Sequence, residues 1–210
     1  MQLPSEHPFV VFKYCPRCGE NGFTSVSIKS MKCPVCGLEW FYNPAPAVMA
    51  IIPNTKGEIL FSKRKYDPGA AMLDLPGGFV DINETSEEAL MREIREDTGL
   101  TLQHFEYLFS LPSQYFYNDL LYYTLYKVFL GKVYNIAQMK PDDDVSELLF
   151  LKPVDVDSKR KLLIIKNAKG RKDRVAPISE KLIEMLREYY KIHKPKVWLF
   201  EGQVPGEQYS

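Results

Sequence analysis

The chain has 210 residues, of which 45% are hydrophobic, so it can bury a core as one medium domain or two small ones. Its 27 basic and 27 acidic residues cancel. The net charge therefore gives no case for nucleic acid or a membrane surface as a partner. The N-terminal stretch lacks the pattern of a secretory signal, and no apolar run approaches the ~20 residues that span a membrane. We expect a cytoplasmic protein with no membrane partner.

Two cysteine pairs stand near the N-terminus, Cys15 with Cys18 and Cys33 with Cys36, each in a C-x-x-C turn followed by glycine. Four thiolates presented by two tight turns suit a tetrahedral Zn²⁺ site, and four protein ligands leave no open position for chemistry. Two disulfides or a thioredoxin-like redox pair are the alternatives, and a cytoplasmic location favours neither. The sequence predicts a structural zinc ribbon within residues 1–42, whose folding is coupled to zinc binding.

A β-rich pattern begins after Trp40. Residues 47–52 and 58–64 flank a Pro-Asn-Thr-Lys-Gly turn and predict a β-hairpin. Further strands are predicted at 72–75, 102–111, 120–133 and 147–152. Gly77 and Gly78 follow the first of these and allow the backbone to turn into the acidic loop beyond it.

The segment after this glycine pair predicts a capped helix. Thr85 is followed three residues later by Glu88, which is the pattern of a capping box. Gly99 is the expected left-handed stop. We therefore expect a helix over residues 86–98.

Three acids of this helix, Glu93, Glu96 and Asp97, fall within one angular sector. Like charges at that spacing repel, so a cation should offset them, and hard oxygen ligands suit Mg²⁺ or Mn²⁺ better than a softer metal. The alternative is a solvated acidic face with Arg92 and Arg95 as local ion-pair partners.

Residues 78–100 resemble the Nudix box, G-x5-E-x7-R-E-U-x-E-E-x-G-U. The corresponding positions are Gly78, Glu84, Arg92, Glu93, Ile94, Glu96, Asp97, Gly99 and Leu100. One position departs from the pattern, because Asp97 stands where the second acid of the pair is usually glutamate. The resemblance implies an α/β/α sandwich with a mixed sheet, which we place at residues 43–157.

The same resemblance implies a chemistry, the hydrolysis of a pyrophosphate bond with Mg²⁺ or Mn²⁺ as cofactor. It implies that Glu93, Glu96 and Asp97 hold the metal and that Glu84 joins them directly or through a water. Arg92 is better placed to orient a carboxylate than to touch the substrate. The candidates for the general base are Glu96 and Glu147.

A zinc ribbon directly before a Nudix domain is similar to the arrangement in the NADH pyrophosphatase branch of the family. That branch carries the signature S-Q-P-W-P-F-P-x-Q-S after its box, and residues 110–117 agree with it only at scattered positions. The resemblance therefore implies a nucleoside diphosphate derivative, such as NADH, NAD, ADP-ribose or a dinucleotide. Tyr115, Phe116 and Tyr117 are expected in a loop, where they either stack a nucleobase or pack against the protein.

The composition changes near Asp157, and residues 159–174 contain eight basic side chains against one acid. Two strands, 161–166 and 174–178, and a helix from Ser179 to His193 are predicted here. This segment, 158–210, resembles a fragment of the catalytic domain of tyrosine recombinases, with Lys172 at the position of their hairpin lysine. Its arginine motifs and its nucleophilic tyrosine motif are missing, so we expect no DNA cleavage.

The predicted tail helix either covers the Nudix sheet or leaves one face of that sheet partly bare. The basic hairpin is either a solvated surface or a nucleic-acid contact, and zero net charge favours the former. Three hypotheses follow. The leading one is a Nudix hydrolase acting on a small nucleotide. The alternative is a non-catalytic nucleotide-sensing or nucleic-acid-binding protein with a relic box. The third is a fusion product that does not fold stably. The oligomeric state, including a homodimer, stays open.

Overall fold

A computed structural model describes residues 3–151, 156–157, 162–168 and 172–193. The chain forms two compact units, the first from Met1–Pro46 with Pro112–Leu125 and the second from Ala47–Leu111 with Tyr126–Ser210. Within the described ranges, no helix combines the length and apolarity that crossing a bilayer requires.

The first unit is built on a small antiparallel sheet. Its strands are β1 (Thr24–Ser27), β2 (Ser30–Lys32) and β3 (Glu39–Phe41), in the order β1-β2-β3. Phe9, Phe23 and Met31 are buried together with Cys15 and Cys33 and form its core. The cysteine turns are therefore part of the packing of this unit.

His7, to which the sequence assigned no role, is fully buried in the first unit. Its Nδ1 atom accepts a hydrogen bond from the backbone N–H of Phe9 (3.2 Å) at the start of a short 3-10 helix, Pro8–Val10. The rings of Phe9, Tyr42 and Tyr123 lie 4.5–6.1 Å from the imidazole, centroid to centroid. Burial lowers the pKa of His7, so a neutral imidazole serves here as an aromatic core residue and helix cap.

The remaining elements follow in chain order. They are β4 (Ala45–Ile51), β5 (Ile59–Arg64), β6 (Leu73–Asp74), α1 (Ser86–Thr98), β7 (His104–Tyr117), β8 (Leu120–Lys132), β9 (Val145–Leu151), β10 (Val156–Asp157), β11 (Leu162–Ala168), β12 (Lys172–Pro177) and α2 (Glu180–His193). They form three sheets, with the orders β4-β8-β7, β6-β5-β9 and β10-β11-β12. Strand β5 pairs antiparallel with β6 and with β9, and a parallel bridge joins Leu73 to Ile178, so the β structure of the second unit is mixed.

The second unit is an α/β/α sandwich, because alternate residues of β4 face two different cores. Ala47, Met49 and Ile51 pack in the cluster that contains residues of α2. Val48 and Ala50 pack in the cluster that contains residues of α1. Strand β5 follows the same rule, so the strands lie between the two helices, as the Nudix resemblance implied.

The predicted hairpin of residues 47–52 and 58–64 is wrong beyond its closed end. A bridge joins Pro53 to Ile59, after which β4 and β5 pair in different sheets. Both strands are buried on both faces. Instead of forming a two-stranded ribbon, β4 pairs with β8, and β5 pairs with β6 and β9.

Helix α2 covers one face of the sandwich. The Ser179 hydroxyl caps it by accepting a hydrogen bond from the N–H of Leu182 (3.1 Å), as the sequence predicted. Leu182, Ile183, Met185 and Leu186 are all buried against the sheet. The segment that resembles a recombinase fragment therefore supplies the outer helix of the Nudix sandwich.

The predicted strands before this helix are confirmed as the antiparallel pair β11 and β12. The turn between them, at residues 169–171, lies outside the described residues, as do residues 158–161 of the basic run and residues 194–210. The recombinase-like hairpin lysine, Lys172, begins β12.

We predict that Leu182→Ala lowers the free energy of unfolding by about 2–5 kcal/mol, because it opens a cavity beneath α2. Urea denaturation followed by tryptophan fluorescence and circular dichroism would measure the loss. Glu184→Ala, on the exposed side of the same helix, should change stability by less than about 0.5 kcal/mol. Equal stability of the two variants would show that α2 does not pack as described.

Candidate active site

Helix α1 forms where the sequence predicted it. The Thr85 hydroxyl accepts a hydrogen bond from the N–H of Glu88 (3.2 Å), and the Glu88 carboxylate accepts one from the N–H of Thr85 (2.8 Å). Gly99 ends the helix at φ +68°, a backbone conformation that glycine adopts without strain. Both ends of the acid-bearing helix are thus fixed by local hydrogen bonds.

Arg92 joins the acids of this helix into one network. Its guanidinium donates to both carboxylate oxygens of Glu84, at 2.8 Å each. The Nη1 atom also donates to Glu93 (2.8 Å) and Glu96 (3.0 Å), and Nη2 donates to the carbonyl oxygen of Phe79 (2.9 Å). Three carboxylates therefore take their orientation from one planar cation.

The pKa values of Glu84 and Glu93 are shifted in opposite directions. The hydrogen bonds from Arg92, supported by the N–H of Asp81, lower the pKa of Glu84 to about 2. Burial raises the pKa of Glu93, although Arg92 opposes the shift. Glu84 is therefore a firmly ionised partner of the arginine, whereas Glu93 is a carboxylate for which ionisation is costly without additional positive charge.

Asp97 is only 4% exposed, and its Oδ2 atom accepts a hydrogen bond from the N–H of Gly77 (2.9 Å). Burial raises the pKa of Asp97 to about 7 against the effect of that hydrogen bond, and the charges of Asp144, Glu93 and Asp143 add to the rise. The one residue that departs from the Nudix box is thus held at the glycine turn.

The acidic turn at Asp142–Asp144 is a neighbour of this site that sequence reasoning missed. The N–H of Asp142 donates to the carbonyl oxygen of Asp97 (3.3 Å), and Asp144 raises the pKa of both Asp97 and Glu93. The run of three aspartates was visible in the sequence. Its distance of more than forty positions from α1 concealed the contact.

The glycine pair is required by close packing. A Cβ atom on Gly77, which has φ +142°, would lie 2.2 Å from the carbonyl oxygen of Val48. A Cβ on Gly78 would lie 2.4–2.5 Å from the carboxylate atoms of Glu93. The N–H of Val48 also donates to the carbonyl oxygen of Gly78 (2.8 Å). The glycine turn therefore lies directly against Glu93 and Asp97 of α1.

The chemistry of this donor set fits a hard divalent cation. Glu93, Glu96 and Asp97 offer oxygen ligands alone, and two of them are held in surroundings that disfavour an uncompensated charge. The three carboxylates do not meet at one point in this structure. Glu93 and Glu96 share Arg92, and Asp97 bonds Gly77.

Glu147 lies on β9, and its carboxylate pairs with Lys63 on β5 (3.4 Å). Neither residue shares a hydrogen bond with Arg92 in the part of the chain that the structure describes. Of the two candidates for the general base, Glu96 is therefore the one inside the network.

The prediction that Tyr115, Phe116 and Tyr117 lie in a loop is wrong, because strand β7 continues through Tyr117. The two tyrosine rings stack at 6.2 Å with an interplanar angle of 18°, and Phe116 is 52% exposed. Asn118 and Asp119, both with positive φ, make the two-residue turn into β8 that lets β7 extend. These aromatic residues belong to the first unit.

The four cysteines of the first unit are brought together. Their sulfur atoms all lie within 4.8 Å of one another, with Cys15 to Cys36 and Cys18 to Cys33 at 3.6 Å each. All four are free cysteines in this structure, so no disulfide links them here. Sulfur atoms bound to one tetrahedral metal at about 2.3 Å stand about 3.8 Å apart, so the cluster has the dimensions of a four-thiolate site.

The two cysteine turns have the same construction. The N–H of Gly19 donates to the carbonyl oxygen of Cys15 (2.9 Å), and the N–H of Gly37 donates to that of Cys33 (3.1 Å). Both glycines have positive φ, +77° and +70°, with no atom within 4 Å of a built Cβ. They are needed for backbone conformation, and the repeated turn presents each sulfur pair to the other.

The second unit is an α/β/α sandwich in which Arg92 and the glycine turn contact the acids of α1. This is the arrangement that the resemblance to the Nudix box implied. A family profile described as NUDIX domain matches residues 43–172, which is more than half of the chain. The chain belongs to the NUDIX family. A second profile, described as Phage integrase family, matches residues 145–210, so the two matched segments overlap.

Curated relatives reflect both segments. The chain is 29% identical over 108 residues to the NAD-capped RNA hydrolase NudC of Haemophilus influenzae, covering 50% of this chain and 40% of that protein. It is 45% identical over 62 residues to the putative integrase/recombinase y4qK of Sinorhizobium fredii, covering 30% of this chain and 20% of that protein. The chain thus spans well under half the length of either relative.

Solved structures support the fold. A MutT/nudix family protein from Enterococcus faecalis superposes with a TM-score of 0.57 at 16% identity, covering 75% of this chain and 65% of that one. The NUDIX domain of Shewanella oneidensis NrtR, determined with ADP ribose, superposes with a TM-score of 0.54 at 16% identity, covering 72% and 90%.

We predict that Gly78→Ala leaves the protein folded but weakens Mn²⁺ binding by about 10- to 100-fold, because the new methyl group displaces the Glu93 carboxylate. Electron paramagnetic resonance of free Mn²⁺ would measure the affinity. Gly77→Ala should instead lower the melting temperature, since its Cβ meets the backbone of β4. Unchanged Mn²⁺ affinity in Gly78→Ala would contradict the placement of Glu93.

We also predict that the chain binds about one equivalent of Co²⁺ or Zn²⁺ through its cysteines. Charge-transfer absorption of the Co²⁺ form should disappear in Cys33→Ser and persist in Arg17→Ser, an exposed change in the opposite cysteine turn. Chelation of the metal should unfold the first unit. Full Co²⁺ absorption in Cys33→Ser would contradict a four-thiolate site.

Proposed function

We propose that this chain is a divalent-metal-dependent hydrolase of a pyrophosphate bond in a nucleoside diphosphate derivative, and that it releases a nucleoside monophosphate. The observation that carries the proposal is the network in which Arg92 orients Glu84, Glu93 and Glu96 beside Asp97. On a helix whose acidic face is only solvated, we would expect Asp97 to be exposed, whereas it is buried against the glycine turn.

One curated relative and one solved structure support the proposed substrate class. NudC is named for hydrolysis of NAD-capped RNA, and the NUDIX domain of NrtR was determined with ADP ribose. Both ligands contain a nucleoside diphosphate linked to a second group. We therefore propose NAD or NADH, ADP-ribose or a dinucleotide as the substrate, without ranking them.

The metal ligands in this proposal are Glu93, Glu96 and Asp97, and the cation is Mg²⁺ or Mn²⁺. When bound, such a cation neutralises charge on phosphate oxygens and lowers the pKa of a coordinated water. Arg92 keeps Glu84 ionised and donates hydrogen bonds to both Glu93 and Glu96, so it is a positioning residue. The shorter side chain of Asp97 is compensated by its hydrogen bond to Gly77, which fixes one of its oxygens.

The other candidate residues take secondary roles. We propose Glu96 over Glu147 as the general base, because Glu96 lies in the Arg92 network with the other acids of α1, whereas Glu147 pairs with Lys63 outside that network. The exposed Phe116, with the stacked Tyr115 and Tyr117, remains our candidate surface for a nucleobase. We assign Zn²⁺ to the cysteines as a structural ion.

The test is product analysis after incubation of the purified protein with Mg²⁺ and a panel of NADH, NAD, ADP-ribose, dinucleoside polyphosphates and NAD-capped RNA. Metal-dependent release of a nucleoside monophosphate should fall at least about 100-fold in Glu93→Gln and in Glu96→Gln. Glu87→Gln, an exposed change on the same helix, should retain full activity.

The same assay separates the two candidate bases, because Glu147→Gln should lose little activity beside Glu96→Gln. A folded, metal-loaded protein that hydrolyses nothing in the panel would overturn the proposal. The nucleotide-sensing or nucleic-acid-binding alternative would then be the better account.

A further inference from the structure

Helix α2 places a lysine inside the second unit. The Lys181 ammonium lies 3.0 Å from Oδ2 of Asp74 and 4.3 Å from the centroid of the Tyr126 ring. The two side chains of the ion pair are 17% and 8% exposed. Burial alone would lower the pKa of Lys181, yet the Asp74 carboxylate raises it, so the lysine stays charged in a largely desolvated position.

Asp74 begins the turn that reaches the candidate active site. Its Oδ1 atom accepts a hydrogen bond from the N–H of Leu75 (2.9 Å). Two residues later, the N–H of Gly77 donates to Asp97, and Gly78 lies so close to the Glu93 carboxylate that an added Cβ atom would be 2.4–2.5 Å from it. One aspartate therefore connects the lysine of α2 to the backbone that holds the acids of α1.

A second contact fixes the same alignment. Leu73, which precedes Asp74 in β6, forms a parallel bridge with Ile178 just before α2. Strand β6 has only two residues and pairs with β5, and the bridge and the ion pair add two contacts from the side of α2. The start of α2 thus sets the position of β6 from one side.

We propose that Lys181, in the segment that resembles phage integrases, is a positioning residue for the Nudix site and acts through Asp74 on the Leu75–Gly78 turn. The inference rests on the proposed function for its catalytic consequence, but its structural consequence at Gly77 does not. The integrase-like segment is on this account a working part of the Nudix domain.

The physical reason is the cost of a buried unpaired charge. Without the ammonium group, Asp74 would keep its carboxylate in a poorly solvated position, which is strongly unfavourable. The Asp74 carboxylate can regain water only by moving. The N–H of Leu75 is hydrogen-bonded to this carboxylate, so the backbone of the turn would move with it. The turn would then shift relative to α1, weakening the hydrogen bond to Asp97 and changing the space beside Glu93.

The experiment compares Lys181→Met, Lys181→Arg and Asp74→Asn/Lys181→Met with the wild-type full chain. Lys191→Met is the matched control, because Lys191 is on the same helix with its side chain 68% exposed. Three quantities are measured, namely the hydrogen exchange rate of the Gly77 amide by NMR, the affinity for Mn²⁺ alone, and kcat and KM for ADP-ribose.

In Lys181→Met we expect exchange at Gly77 to accelerate, and Mn²⁺ affinity and kcat to fall about tenfold with KM nearly unchanged. Lys181→Arg should restore most of each, and Lys191→Met should match the wild type. The double variant should regain thermal stability, slow exchange at Gly77, Mn²⁺ affinity and kcat together, because no buried carboxylate is left unpaired to displace the turn. A purely structural role of Lys181 would instead lower thermal stability in Lys181→Met without changing Gly77 exchange or Mn²⁺ affinity in the folded protein.

Wild-type Gly77 exchange and Mn²⁺ affinity in folded Lys181→Met would overturn the inference. If that variant does not fold, a folded double variant whose Gly77 exchange and Mn²⁺ affinity stay far from the wild-type values would overturn it, because the effect would then not act through the charge of Asp74. A wild-type protein that hydrolyses nothing, but whose Gly77 amide responds to Lys181→Met, would refute the proposed function and leave the positioning role standing.

Discussion

The concentration of negative charge on one face of α1 is the constraint on which the rest of the second unit depends. Glu93, Glu96 and Asp97 repel one another, and Asp143 and Asp144 add to the repulsion. Arg92 offsets part of this charge from within the helix, and Gly77 offsets part through a backbone N–H. What remains is an arrangement that a divalent cation would stabilise further, and this is the property that hydrolysis of a phosphate anhydride requires.

The sandwich holds the acidic face of α1 beside the Leu75–Gly78 turn. Strand β4 supplies one apolar face for α1 and another for α2, and neither face could remain exposed without a large cost. The chain covers the second face with an amphipathic helix from a segment that is similar to integrases. A helix of suitable length and apolar spacing is enough for this purpose, because packing demands shape and apolarity rather than ancestry.

Local signals in the sequence predicted most of the fold. The capping box at Thr85 and the stop at Gly99 gave the bounds of α1, and Ser179 gave the start of α2, because caps act within a few residues. The cysteine spacing likewise identified the cluster. The pairing of β4 and β5 in separate sheets was not predictable, since it depends on which distant strands compete for each edge. The strand through Tyr117 was missed because the turn at Asn118 and Asp119 resembles an ordinary loop.

The sequence predicted which residues form the candidate site, but it did not predict the contacts between them. The Nudix box named the acids, but the bidentate bond from Arg92 to Glu84, the contact of Asp97 with Gly77 and the acidic turn at Asp142–Asp144 depend on tertiary packing. The pair of Lys181 and Asp74 joins positions more than a hundred residues apart, and no local pattern marks either partner.

Hydrolysis in water enriched with ¹⁸O is the sharpest test of the proposed metal-dependent cleavage of a pyrophosphate bond. We expect ADP-ribose or NAD to be cleaved only when Mg²⁺ or Mn²⁺ is present, and one phosphate group of the products to carry the label. This result would show attack of water on phosphorus at the pyrophosphate bond. Intact substrate after prolonged incubation with folded, metal-loaded protein, or cleavage without incorporation of ¹⁸O into phosphate, would contradict it.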